Sequence, residues 1–143
     1  MSRLLESVLA AIGAADSIIS ALFVWNSGPD ARQWPFPVLA LAEWVTFGLA
    51  GLVGIALSIA LNDNEGRSSR WGLLTWISAG GLLGSAVIGL FEIGLFVFPA
   101  VLAFGSAAVL VDRRRRQSTK VHLAAAITMA AATAVVNLLA ISR

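Results

Sequence analysis

The side chains able to do chemistry are few, and they sit in or beside long apolar runs. Asp16 follows Arg3 by thirteen residues, about 20 Å along a helix. A carboxyl that deep in a bilayer costs roughly 2.5–3.5 kcal/mol on insertion scales and has to face protein rather than lipid. Gly13, Asp16, Ser17 and Ser20 fall on one helical face by the i, i+3, i+4, i+7 rule, so Asp16 is expected in a small, polar groove. Glu43 lies about 10 Å into the next apolar run, and Thr133 and Asn137 share a face near the end of the last one. No lysine or arginine is embedded to pair with either acid. Asp16, Ser20, Glu43, Thr133 and Asn137 are therefore the candidate intramembrane polar site. Two chemistries fit it. One is an outward-facing acidic cavity for a proton or cation. The other, preferred here, is a neutral Asp16 that hydrogen-bonds a hydroxyl or Asn137 and holds helices together.

Other chemistries are poorly supplied. The chain has no cysteine, which excludes disulfides, thiolate metal sites and cysteine nucleophiles. His122 is the only histidine and reads as an interfacial residue beside a basic loop. It has no second histidine with which to hold a transmembrane haem, and no metal-ligand cluster, serine–histidine–aspartate set or nucleotide loop accompanies it. The sequence indicates no cofactor and no metal, and it points away from an enzyme.

The elements that must position these residues follow from hydropathy. The chain is 58% hydrophobic and 13% charged, with mean hydropathy +0.85, the composition of an integral membrane protein without a soluble domain. The stretch 71–112 carries Glu92 as its one ionisable side chain before Asp112. A single helix of that length would measure about 63 Å, twice the roughly 30 Å of bilayer hydrocarbon, so it must fold back on itself. The segment around Glu92, Gly94 and Pro99 supplies the turn, with glycine to reverse the backbone and proline suited to a first helical turn. The expected fold is all-α: one domain over 1–143, a bundle of five transmembrane helices at about 3–25, 37–61, 71–92, 95–112 and 121–141, with a tight hairpin between the third and fourth. The apolar run at the N-terminus is too long for a signal peptide and carries Asp16 and Ser17 in its middle, so it is read as a membrane helix.

Five crossings place Arg3, Arg67, Arg70, Arg113, Arg114, Arg115, Arg116 and Lys120 on one side and Arg32 and Arg143 on the other. That asymmetry sets the N-terminus in the cytoplasm and the C-terminus outside, and Trp25, Trp34 and Trp71 fall at the interfaces as aromatic belts require. The run Arg113–Arg114–Arg115–Arg116 is expected to fix orientation and meet anionic lipid headgroups rather than nucleic acid. Nine of the ten basic residues are arginine, which suggests a GC-rich prokaryotic genome and hence the inner (plasma) membrane. Small residues recur at four-residue spacing: Gly13, Ser17 and Ala21; Gly54 and Ser58; Gly80, Gly84 and Ser85; Ala126, Ala130 and Ala134. Faces of this kind let backbones approach closely in lipid, either within the bundle or against other chains. The functional expectation is a non-catalytic structural or accessory membrane subunit, or a protein that self-assembles through those faces, with the bilayer and other membrane chains as partners. The alternative is a small oligomeric proton- or cation-linked transporter or channel using Asp16 and Glu43.

Overall fold

A computed structural model describes residues 2–26, 35–61, 69–88, 94–115 and 118–142. Nearly all of them are helical. The chain forms α1 (Ser2–Asn26), α2 (Pro35–Ala60), α3 (Ser69–Ile88), a short 3-10 turn (Gly94–Val97), α4 (Phe98–Arg115) and α5 (Thr119–Ile141). Each α-helix is long and apolar enough to cross a membrane, and the all-α bundle of five spans is the fold read from hydropathy. Glu92 and Arg116 lie outside the described residues.

Helix boundaries differ from the sequence reading where a local rule outweighs hydropathy. The fourth helix opens at Phe98 rather than at 95. Pro99 cannot donate to a carbonyl one turn before it, so the chain reaches the proline through a 3-10 turn and the α-helix starts there. At its other end α4 does not stop at Asp112 but runs on through Arg115. Arginine is a good helix former, and positive charge at a helix C-terminus is favoured by the macrodipole. The first three arginines of the run are therefore helical.

The helices alternate in direction, and α1, α2, α3 and α4 pack as a four-membered ring, α4 closing back on α1, while α5 docks on the outside of α3. The end holding Arg3, Arg113 and Lys120 is called here the basic end, and the opposite one the far end. The apolar core of the ring contains Trp44, Phe104, Ile55 and Leu82, all essentially fully buried. Glycines make room for the aromatic rings. Phe104 of α4 is wedged between Gly13 of α1 and Gly51 of α2, and a methyl added at Gly13 would lie 3.0 Å from the ring. Phe47 of α2 covers Gly81 of α3 in the same manner. The α3–α5 contact is closer still. Gly80 and Gly84 meet the backbone of Ala126 and Ala130, and a methyl at either glycine would run into a carbonyl oxygen of α5.

Candidate functional site

The carboxylates of the described helices and their partners form four clusters, two near each end of the bundle, while buried Ser17, Ser58, Thr75 and Ser78 lie outside them. At the far end, Asp16 does not join Glu43. Its Oδ2 accepts the backbone N–H of Ala100 at 2.9 Å. That amide belongs to the first turn of α4, whose N–H groups have no partner within their own helix. Val97, next to the start of α4, has no side-chain oxygen to cap it, so a carboxyl from a neighbouring helix takes the part that serine or aspartate usually plays locally. Ser20, one turn along α1, donates its hydroxyl to the carbonyl of Phe96 at 3.0 Å. Together Asp16 and Ser20 fasten the entry to α4 onto α1.

Glu43 forms the second far-end cluster. Asn137 of α5 donates its amide Nδ2 to both carboxyl oxygens, at 3.1 and 3.0 Å, and to the carbonyl of Thr133 at 2.9 Å. On its other side Glu43 is hydrogen-bonded by the Ser85 side chain. Ser85 in turn accepts the indole N–H of Trp44 at 2.7 Å. The network therefore ties α2, α3 and α5 together. The amide oxygen of Asn137 is buried and meets no donor among the described residues.

At the basic end, Glu6 of α1 is completely buried and takes a bidentate pair from Arg114 of α4: Nε to Oε1 at 2.9 Å and Nη2 to Oε2 at 2.8 Å. Such two-point geometry is the strongest form a guanidinium–carboxylate contact takes. Arg114 is thus turned inward, whereas its neighbour Arg113 is exposed. Nearby, Asp112 of α4 is buried between α3 and α5. The indole N–H of Trp76 reaches its Oδ2 at 2.9 Å, and Nδ1 of His122 lies 2.9 Å from its Oδ1. His122 is buried and paired with Asp112. Positions 112 and 122 are equidistant from 117, so the short α4–α5 connection sets them opposite one another.

Of the residues singled out by sequence, Glu43, Thr133 and Asn137 come together, and Asp16 with Ser20 forms a separate cluster. Among the described residues no hydrogen bond joins the two groups. The small residues Gly13, Ser17, Gly54, Gly80, Gly84 and Ser85 all face another helix of the same chain: Ser17 lies under Gly48, and Gly54 sits against Thr75 and the carbonyl of Trp71. Glu6, Trp76, Asp112 and Trp44 were not singled out. Glu6 could have been found, because it begins the stripe of Ala10, Gly13, Ser17, Ala21 and Val24 that α1 buries. The spacing of Asp112 and His122 about a short turn was the available signal for that pair.

Among the described residues no three histidine, aspartate or glutamate side chains converge as a metal site would require. No family model, curated protein or solved structure matches the chain. Fold and polar clusters together define an all-α bundle, suited to a membrane, in which carboxylates join helices to one another.

Proposed function

We propose that this protein is a non-catalytic integral membrane subunit with a structural or accessory role, exerted through its surface rather than through an internal reaction centre. One observation carries the reading. Each buried or half-buried carboxylate of the described helices is committed to a contact between helices: Glu6 to Arg114, Asp16 to the Ala100 amide, Glu43 to Asn137, and Asp112 to Trp76 and His122. Between the far-end and basic-end clusters on α3 lie Ala79, Gly81 and Leu82, buried against apolar neighbours. Ser78 lies there too, its hydroxyl turned back onto the Leu74 carbonyl of its own helix. The arrangement supports a static bundle over a conducting one. Self-assembly is the mode best supported, since α5 leaves Ala124, Thr128 and Ala132 exposed at four-residue spacing, a pattern that favours close helix approach in lipid.

The test is flux. Wild-type protein in proteoliposomes is expected to show no specific proton- or cation-driven flux, and Asp16→Asn and Glu43→Gln are expected to fold and insert. A wild-type flux lost in either variant would replace this reading with the alternative, an oligomeric proton- or cation-linked transporter. The observation that favours the alternative is the unsatisfied amide oxygen of Asn137, the residue whose Nδ2 holds Glu43, since a cation bound to that oxygen would complete its bonding.

The proposed setting is a prokaryotic plasma membrane with the basic end in the cytoplasm, on the strength of eight basic residues against two. Cysteines at Ser118 and Ser142, tested with an impermeant thiol reagent on intact cells, are expected to label at 142 only. Labelling at 118 alone would invert the orientation.

A further inference from the structure

We propose that the outer face of the α1–α4 seam is a binding site for one anionic phospholipid, its acyl chain lying in a groove and its phosphate held by Arg113. The groove measures about 610 Å³ and is lined by Leu5 and Leu9 of α1 and by Leu102, Gly105, Val109 and Arg113 of α4. That volume suits a ligand of drug or acyl-chain size rather than a water or an ion. Apart from Ser106 and Arg113 the walls are apolar, and Leu5 and Leu102 are among the exposed leucines of the bundle. Gly105 is the notch in the floor, for a methyl added there would meet nothing within 4 Å. It differs in this from Gly13, Gly48, Gly51, Gly54, Gly80, Gly81 and Gly84, which are all occupied by a neighbouring helix.

Length and charge identify the occupant. From Leu102 to Arg113 the groove runs along α4 for about 16 Å, close to the hydrocarbon depth of one leaflet, about half of 30 Å. Arg113 stands at the end of that span, where headgroups begin. The guanidinium next to it, Arg114, is neutralised by Glu6. Arg113 is exposed, and among the described residues no carboxylate pairs with it. A zwitterionic headgroup would bring its own cation to that position, whereas a net-negative one completes it. The bilayer supplies such lipids from the side, so no entry path through the protein is needed.

The experiment is native mass spectrometry of the delipidated full chain, titrated with phosphatidylglycerol or with phosphatidylcholine of the same acyl chains. Wild type is expected to retain one phosphatidylglycerol about fivefold more strongly than phosphatidylcholine, the advantage typical of one basic residue at a membrane surface. Arg113→Gln should abolish that preference while binding of phosphatidylcholine persists. Gly105→Leu, whose Cβ meets no neighbour and whose side chain fills the notch, should lower retention of both lipids. Lys120→Gln, an exposed charge not among the groove residues, should leave the preference intact. A preference that survives Arg113→Gln, retention unchanged by Gly105→Leu, or an equal loss in Lys120→Gln would each overturn the proposal, the last by showing that diffuse charge and not this groove selects the lipid.

Discussion

The α3–α5 seam and the α1–α4 seam are fastened alike at their ends and differently between them. Carboxylate clamps accompany both. Docked on α3, α5 is tied to α4 by Asp112 with His122 and to α2 by Glu43 with Asn137. In the other seam α4 is tied to α1 by Glu6 with Arg114 and by Asp16 with the Ala100 amide. Between its clamps the first seam is closed by backbone contact, glycine against alanine. The second is held apart by the Phe104 ring and keeps an open groove on its outer side. The difference follows from what drives association in lipid. Burying leucine against leucine gains little when the solvent is itself hydrocarbon, so close packing and interhelical hydrogen bonds must do it. A peripheral helix such as α5, which touches the ring mainly through α3, requires the closest packing available. A helix inside the ring such as α4 has further neighbours, α3 above all and also α2 and the 3-10 turn before it, and can leave one side unfilled.

The largest effect is expected from stranding a buried charge. Arg114→Ala leaves Glu6 fully buried without its guanidinium, at a cost of about 3–5 kcal/mol, and should lower the thermal unfolding midpoint in detergent more than any change in the opposite seam. Arg113→Ala, one residue away and exposed, should move it little. Equal effects from the two would mean that the run acts as undifferentiated charge and that the clamp is not what holds α1 to α4.

Next comes the packing of the α3–α5 seam. Gly84→Leu forces a side chain into the Ala130 carbonyl, and overpacking of that kind costs roughly 3 kcal/mol at the upper end of its usual range. Gly105→Leu, in the open groove, should cost almost nothing. Size-exclusion profiles of the two variants after a heating series would separate them, and the contrast between the seams fails if both migrate as wild type. Removing the indole donor at the basic end is smaller. Trp76→Phe deprives Asp112 of one of its two partners, worth about 1–2 kcal/mol for a buried charged acceptor, and should loosen α5 by exposing its first turns to proteolysis.

Much of this architecture is legible in the sequence, because the rules that govern it are local. Apolar run lengths give five helices, because 71–112 is too long for one crossing and has to fold back. Four-residue spacing of glycine and alanine marks faces of close approach, and Gly80 and Gly84 do meet Ala126 and Ala130. What is not legible is which face meets which. In the sequence Asp16 reads as bonded to a hydroxyl or Asn137, or else as part of an acidic cavity with Glu43, because all lie in the same half of the bilayer. Depth, however, says nothing of direction around the helix axis. The partner of Asp16 is a backbone amide, a group every residue carries, so no side-chain pattern announces it. Glu6 and Arg114 stand 108 residues apart and meet only once α4 continues as a helix beyond Asp112.

The smallest effect separates a cap from a reactive carboxyl. Asparagine at position 16 keeps an oxygen that can accept the Ala100 amide, so Asp16→Asn loses at most the attraction between an ionised carboxylate and the positive end of α4. That attraction is worth about 0.3–1 kcal/mol near a helix N-terminus. Asp16→Leu removes the acceptor as well, leaves the amide without its carboxyl partner at a cost of about 1–3 kcal/mol, and crowds the contact where Ser20 holds the Phe96 carbonyl. The expected order of unfolding midpoints is therefore wild type, then Asp16→Asn close behind, then Asp16→Leu well below. Ser20→Ala should fall between the two variants, because it removes one bond of the same fastening and leaves the Asp16 cap in place. If Asp16→Asn instead destabilises as much as Asp16→Leu, the charge itself holds α4 in place. The α1–α4 seam would then depend on ionised groups at both ends, unlike the α3–α5 seam, where the amide of Asn137 makes the far-end clamp.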